Sequence, residues 1–166
     1  MTKLKIVVTG PVSAGKTTFI HSLADQAPVS TEQRVRRPSN KSKTTVALDF
    51  GRTTVAERSV NLFGTPGQER FHYMRELLIE GTDGLVLLVP ADQDDGLEKT
   101  QKLMAQLASG PVPPLVVGIT RTDLAQTHAP QAIRQAFGAR ALHVKRIDAR
   151  AEDHCRGLVT ALVSHA

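Results

Sequence analysis

The chain has 166 residues, of which 40% are hydrophobic and 22% charged, and its formal net charge is +5. These values are ordinary for a soluble protein, and we interpret residues 1–166 as a single domain. No apolar run approaches the roughly 18 residues of a membrane span. The first apolar run breaks at Thr9, neither end carries a lipidation motif, and the single cysteine, Cys155, can form no internal disulfide. We therefore expect a cytoplasmic protein without a signal peptide.

Strand and helix patterns alternate along the chain. Strands are expected at 3–9, 44–55, 59–63, 85–89, 115–119 and 141–146, and helices at 16–26, 68–80, 97–108, 131–137 and 152–165. Residues 27–43 are polar and contain two prolines, which predicts a long loop. The pattern predicts an α/β fold with a six-stranded, mostly parallel sheet and helices on both faces. One antiparallel strand is expected at the sheet edge, because 44–55 and 59–63 are tightly joined.

The positive charge is concentrated in one part of the predicted loop. Five basic residues lie there with no acid among them, namely Arg34, Arg36, Arg37, Lys41 and Lys43. Without them the chain has sixteen basic and sixteen acidic residues. A nucleic-acid-binding protein would spread its basic residues more widely, so we do not expect that partner. A solvated mobile loop remains open, as does a contact with an acidic protein or an anionic lipid.

Residues 10–17 read GPVSAGKT and fit the pattern G-x-x-x-x-G-K-[ST] between a predicted strand and a predicted helix. Glycines let such a loop fold back so that its N–H groups point inward, and the helix adds the positive end of its dipole. The lysine can reach the outer phosphates, and the threonine hydroxyl can ligate Mg²⁺. A glycine turn with a surface lysine is the competing interpretation. The predicted phosphate-binding residues are Gly10, Ser13, Ala14, Gly15, Lys16, Thr17 and Thr18.

Other candidate segments follow other predicted strands. They are residues 64–69 (GTPGQE), residues 120–123 (TRTD) and residues 148–150 (DAR). Because ligands of open parallel sheets bind beyond the carboxyl ends of the strands, we expect these segments to meet the glycine loop at one edge.

With these motifs in this order, the chain resembles the Ras-like small GTPases over essentially its whole length. The signatures are GPVSAGKT, TVALDF, FGTPGQERF, TRTD and DAR, and the resemblance is closest to a bacterial branch related to motility-polarity switches. It implies a P-loop fold, GTP and GDP as ligands, and Mg²⁺. It also implies effector, exchange and GTPase-activating partners, among which small roadblock-type proteins are typical of related bacterial systems.

The resemblance further assigns roles to residues near the phosphates. Either Thr44 or Thr45 could correspond to the switch I threonine that joins Thr17 in binding Mg²⁺, and the spacing to Asp49 favours Thr45. Gly67 corresponds to the switch II glycine. Gln68 corresponds to the residue that orients the attacking water, so Gln68, Lys16 and Thr45 are the predicted catalytic residues. Switch I would span about 27–45 and switch II about 64–80.

The resemblance assigns base recognition to two segments. TRTD would place Thr120, Arg121 and Asp123 at the base, and Asp123 can accept from guanine N1–H and the 2-amino group. Adenine offers neither donor, so this carboxylate separates the two bases. DAR would place Asp148, Ala149 and Arg150 beside the base, with the Ala149 N–H facing guanine O6.

The chain departs from the family pattern at Gly64, where the family has the aspartate of D-x-x-G. This aspartate holds a water on Mg²⁺, so the metal loses one supporting carboxylate. Two hypotheses follow: Mg²⁺ affinity is lower, or another carboxylate substitutes, for which Asp49 on the neighbouring predicted strand is the nearest candidate. Arg52, Arg70 and the cluster at 34–37 are candidates for an arginine near the terminal phosphate.

Three hypotheses remain at this point. The first is a switch that slowly hydrolyses GTP and changes shape in its two switch segments. The second is a GTP-binding scaffold that does not hydrolyse, which Gly64 would explain. The third is a small P-loop ATPase or kinase, which TRTD disfavours.

Overall fold

The first strand lies at the centre of a twisted sheet, with three strands on each side. The computed structural model describes residues 2–26, 29–36, 43–66, 78–107, 110–124 and 130–166, and for 29–36 and 43–47 it describes the backbone. Within these ranges the strands are β1 Lys3–Thr9, β2 Val29–Arg36, β3 Lys43–Val55, β4 Arg58–Gly64, β5 Gly84–Pro90, β6 Leu115–Thr120 and β7 His143–Arg146. The helices are α1 Lys16–Leu23, α2 Gly96–Leu107, α3 Pro130–Phe137 and α4 Glu152–His165.

The sheet order is β2-β3-β4-β1-β5-β6-β7, and β3 alone runs against the other described strands. All residues of β5 and β6 are buried, because both strands are apolar and covered on both faces. Because the other strands of the core are parallel, their carboxyl ends meet at one edge of the sheet; these strands are β1, β4, β5, β6 and β7. The predicted α/β fold, with its mostly parallel sheet and one antiparallel strand, is confirmed.

Two apolar cores lie on opposite faces of the sheet. On one face, α1 and α4 contribute Phe19 and Leu158, both at most 1% exposed. On the other face, α2 and α3 contribute Met104 and Ile133 against the buried side chains of β5 and β6. Each helix packs one apolar side on the sheet, which leaves the sheet edge with the strand ends open to a ligand.

The prediction of six strands with a loop at 27–43 was wrong in one respect. Residues 29–36 form β2, which pairs antiparallel with β3 from Val29 opposite Phe50 to Arg36 opposite Lys43. The antiparallel strand β3 is therefore internal, and the sheet edge is the polar and basic β2. Charged residues are typical of edge strands, where they oppose pairing with strands of other molecules. The polar sequence of β2 is therefore compatible with a strand, and the prediction of a loop from polarity alone was wrong.

Two further local differences have simple causes. Helix α1 ends at Leu23 and not near residue 26, because Ala24 is extended and the Asp25 N–H donates to the Arg52 carbonyl oxygen. The link between β3 and β4 is a two-residue turn in which Ala56 and Glu57 both have positive φ, as a twisted hairpin requires. Most of the helix predicted at 68–80 lies outside the described residues.

Candidate functional site

The glycine loop connects β1 to α1 and wraps around the Lys16 side chain. The ammonium group donates to the carbonyl oxygens of Gly10 and Pro11 at 2.8 and 2.7 Å. Lys16 is only 9% exposed, so its charge is held within the loop at the start of the helix. A buried ammonium beside a helix N-terminus is an environment that favours an anion.

Two glycines give the loop its shape. Gly10 has φ of +156°, and a Cβ at this position would lie 2.6 Å from the Leu88 carbonyl oxygen. Gly15 has φ of +100° and begins α1 in the left-handed region, which side chains rarely adopt. The pattern of glycines therefore reflects the close approach of the loop to β5 and its sharp entry into the helix.

Thr120 connects the glycine loop to the end of β6. Its buried hydroxyl donates to the Ala14 carbonyl oxygen at 2.7 Å, across 106 residues of sequence. Ala14 is itself fully buried. The first threonine of TRTD thus supports the loop, and its hydroxyl is committed to that carbonyl.

A cavity of about 400 Å³ opens beside the glycine loop at the ends of β6 and β7. Its size is within the usual range for a small-molecule site. The lining combines loop backbone, apolar side chains and charged groups. Its residues are Ala14, Gly15, Thr18, Thr120, Arg121, Thr122, Asp123, Leu124, Arg146, Ile147, Asp148, Ala149, Arg150 and His154. The segments TRTD and DAR, predicted from separate strands, therefore meet in one cavity.

Three charged residues dominate the mouth of this cavity. The Arg150 guanidinium donates to both oxygens of Asp148 at 2.9 and 3.0 Å, and lies 3.5 Å from Asp123. Hydrogen bonds from the side chain and N–H of Arg150 lower the pKa of Asp148 to about 2. The Asp148 N–H donates to Nδ1 of His154 at 3.0 Å. Arg150 is thereby placed between two carboxylates in the lining of the cavity.

The DAR segment is also tied to helix α1. The Ser22 hydroxyl donates to the Ala149 carbonyl oxygen at 2.5 Å, and a Cβ on Gly15 would lie 3.4 Å from the Ala149 Cβ. Burial raises the pKa of the neighbouring Cys155 thiol to about 12, so this cysteine remains neutral. Cys155 therefore contributes packing beneath the cavity.

Arg121 is held by a residue that was not predicted. Its Nε donates to both carboxylate oxygens of Asp92 at 2.9 Å. Arg121 has a positive φ of 59° and is in the cavity lining, so the ion pair orients it there. Asp92 lies two residues after the end of β5, and its position beyond a strand end was a signal that could have identified it.

A comparison with models of known protein families identifies the family to which this chain belongs. The family model for the elongation factor Tu GTP binding domain matches residues 1–155. The chain belongs to this family of GTP-binding domains.

Three relatives of this GTP-binding domain have similar sequences. It is 34% identical to the protein MJ1339 of Methanocaldococcus jannaschii over 122 residues, covering 74% of the chain and 72% of that protein. It is 26% identical to human Ras-related protein Rab-7b over 139 residues, covering 81% and 67%. It is 24% identical to the mutual gliding-motility protein MglA of Myxococcus xanthus over 148 residues, covering 82% and 76%. The predicted resemblance to Ras-like small GTPases and their motility-polarity branch is confirmed.

Thr17 and Asp49 lie together at the start of α1. The Thr17 hydroxyl donates to Oδ2 of Asp49 at 2.5 Å. Hydroxyl and carboxylate oxygens are ligands that Mg²⁺ accepts, and Mg²⁺ is commonly held by one or two protein groups together with substrate phosphates. Among the described residues, no three His, Cys, Asp or Glu residues form a metal-binding group. The donor set present therefore fits Mg²⁺ bound together with a nucleotide.

Several predicted residues stay predictions. Gly67, Gln68 and Arg70 lie outside the described residues. Thr45 lies in β3 opposite Arg34, with its backbone described. Ser13 has a positive φ of 63° within the loop, and Thr18 lies in α1 at the cavity wall.

In the described part of the chain, no helix has the length and apolar character needed to cross a membrane.

Proposed function

We propose that this GTP-binding domain is a nucleotide-dependent switch that binds GTP and GDP with Mg²⁺ and hydrolyses GTP slowly. The observation that carries the proposal is the Thr120 hydroxyl on the Ala14 carbonyl oxygen. This contact joins the phosphate-binding loop to the cavity that contains Asp123. One ligand with an anionic end and a base end therefore suits the sheet edge.

The roles of the binding residues follow from their positions. Loop N–H groups and the Lys16 ammonium would hold the phosphates, with Gly10 and Gly15 keeping the loop open to them. Asp123 would accept from N1–H and the 2-amino group of guanine. Arg121, which is oriented by Asp92, would cover a face of the base with its flat guanidinium.

Hydrolysis would depend on the segments nearest the phosphates. Gln68 would orient the attacking water, and Thr45 and Gly67 would sense the terminal phosphate within switch segments 27–45 and 64–80. Mg²⁺, bound by Thr17 and Thr45, would neutralise charge on the phosphates. Lys16 would stabilise the same charge, since its ammonium is already placed in the loop.

A slow switch requires partners that change its state. We propose effector, exchange and GTPase-activating proteins in the cytoplasm, including proteins of roadblock type. The basic residues of β2 and its flank, among them Arg34, Arg36 and Lys43, offer a contact for an acidic protein or an anionic lipid.

Nucleotide competition on wild type and Asp123→Ala tests the proposal. Wild type should prefer GDP over ADP by at least roughly 100-fold, because adenine offers Asp123 neither the N1–H nor the 2-amino donor of guanine. Asp123→Ala should lose most of this preference. Asp153→Ala, which removes an exposed carboxylate on α4, is the control and should keep it. Preference of the wild type for ADP would support an ATPase or kinase and contradict the proposal.

Single-turnover hydrolysis of GTP separates the switch from its nearest alternative. We expect slow phosphate release that a partner accelerates. Fast multiple turnover without a partner contradicts a switch. Tight GTP binding without phosphate release, even with partners, indicates the non-hydrolysing scaffold suggested by Gly64.

A further inference from the structure

The glycine loop contains a β-turn at residues 11–14. The Ala14 N–H donates to the Pro11 carbonyl oxygen at 3.2 Å, and φ is positive at Ser13 (63°) but not at Val12. A turn with positive φ at its third position alone is of type II, and glycine or asparagine is preferred there. Ser13 therefore adopts a backbone conformation that its side chain disfavours.

Rotation of one peptide group would relieve this conformation. Type I and type II turns differ in the orientation of the central peptide, and type I has a φ of about −90° at the third position. The central peptide here joins Val12 to Ser13. Because a trans peptide points its carbonyl and N–H groups in opposite directions, the rotation would exchange the two groups. The serine alone thus favours type I, and another contact must hold type II.

Gln93 makes a contact that holds the type II turn. Its side-chain Nε2 donates to the Val12 carbonyl oxygen at 3.0 Å, across 81 residues of sequence. In a type I turn this carbonyl would point away from Gln93, and the hydrogen bond would be lost. While the carbonyl points toward Gln93, the Ser13 N–H points to the opposite side.

Gln93 belongs to the turn between β5 and α2, residues 91–95, which is fixed on both sides of Gln93. The Gly96 N–H donates to the Gln93 carbonyl oxygen at 3.1 Å. Both oxygens of the Asp92 carboxylate accept from Nε of Arg121 at 2.9 Å. The backbone that carries the Gln93 side chain is therefore held in place, so this side chain can orient the glycine loop.

We propose that Gln93 is a positioning residue of the glycine loop, which holds the peptide between Val12 and Ser13 so that the Ser13 N–H points toward the nucleotide phosphates. The inference rests on the proposed function, because the phosphates are the groups that this N–H would meet. Loss of the Gln93 contact would release the peptide to the type I orientation. A carbonyl oxygen would then replace an N–H group beside the phosphates and weaken nucleotide binding.

The first test measures GDP affinity of Gln93→Leu by calorimetric titration. Leucine removes the donor and keeps a side chain of similar size. Affinity should fall roughly 3–10-fold, the effect of one hydrogen bond lost at a partly exposed residue. Gln101→Leu, the same change at an exposed position of α2, is the control and should bind GDP as wild type does. Equal affinities in wild type and Gln93→Leu would overturn the proposal.

The second test uses Ser13→Gly to separate positioning from packing. Glycine adopts a positive φ without steric cost, so the type II turn no longer depends on Gln93. When Gln93→Leu is added to Ser13→Gly, GDP affinity should fall by less than about 2-fold relative to Ser13→Gly, because the two positions are coupled. A loss as large as that caused by Gln93→Leu alone would mean that Gln93 acts by packing, which contradicts the proposal.

A third measurement needs no nucleotide and keeps the two proposals distinguishable. The intraresidue NOE between the N–H and Hα protons of Ser13 is strongest at positive φ, and it should be strong in wild type and weaker in Gln93→Leu. A wild type that binds no guanine nucleotide contradicts the proposed function, while the NOE would still show whether Gln93 holds the peptide. A wild type that binds GDP, with an unchanged NOE in Gln93→Leu, contradicts the role of Gln93 alone.

Discussion

The two ends of the proposed nucleotide site, the glycine loop and the predicted base-binding segments, are built in different ways. At the phosphate end, Lys16 is 9% exposed and is bound to backbone carbonyls, and Gly10 packs against the backbone of β5. At the base end, the side chains of Arg150 and Asp123 are 69% and 63% exposed and are held by ion pairs. Backbone contacts therefore hold the phosphate end, whereas ion pairs between exposed side chains hold the base end.

This difference predicts how each end responds to change. Backbone contacts in a packed loop leave no alternative arrangement, so a small substitution has a large effect. Exposed ion pairs contribute little, typically below about 1 kcal/mol, and their members can find new positions. We expect effects on nucleotide affinity to decrease from the loop, through the Thr120 connection, to Arg150.

The largest effect is expected for Gly10→Ala. The new Cβ would lie 2.6 Å from the Leu88 carbonyl oxygen, and the φ of +156° is unfavourable for alanine. The loop must shift, at a cost of about 3 kcal/mol, which corresponds to roughly 100-fold in GDP affinity. Calorimetric titration with GDP measures this directly.

Gly110→Ala is the matched control for this change. A Cβ on Gly110 meets no atom within 4 Å, and the residue is exposed. Its GDP affinity should equal that of wild type. If Gly10→Ala bound GDP as tightly as Gly110→Ala, the loop would not depend on its backbone contact with β5.

The contrast between the two ends also explains what sequence reasoning could predict. The loop is a local structure whose glycines and lysine are adjacent, so its pattern is visible in residues 10–17. The strands β5 and β6 are visible for a similar reason, because burial on both faces requires continuous apolar runs.

Features that depend on partners from other strands were harder to predict. Strand β2 looks like a polar loop, and its pairing with β3 makes it a strand. The contact of Asp92 with Arg121 joins the ends of β5 and β6, and local patterns do not show such a contact. The contact of Asp49 with Thr17 depends on the register of β3, so sequence alone could name Asp49 only as a candidate.

An intermediate effect is expected for Thr120→Val, which keeps the shape and removes the hydroxyl. The buried Ala14 carbonyl oxygen would lose this donor, at a cost of about 1–2 kcal/mol. GDP affinity should fall about 10-fold, because the carbonyl belongs to the phosphate loop. Thr160→Val removes a comparable bond, to the Arg156 carbonyl oxygen on α4 and outside the cavity lining, and should leave GDP affinity unchanged. Equal affinities in both variants would contradict the connection between the two ends.

The smallest effect on GDP affinity is expected for Arg150→Gln. This change should instead alter the ionisation of Asp148. Arg150 lowers the pKa of Asp148 to about 2 from 3.8, so this ion pair stabilises the fold above pH 3.8 and is lost as pH falls through about 2. In the variant, the pKa of Asp148 should rise toward 3.8, as a carboxyl NMR titration would show, while GDP affinity changes less than about 10-fold. Arg140→Gln, a basic residue outside the cavity lining, should leave the pKa of Asp148 unchanged. A loss of GDP affinity comparable to that of Gly10→Ala would mean that the base end, despite its exposure, is as constrained as the loop.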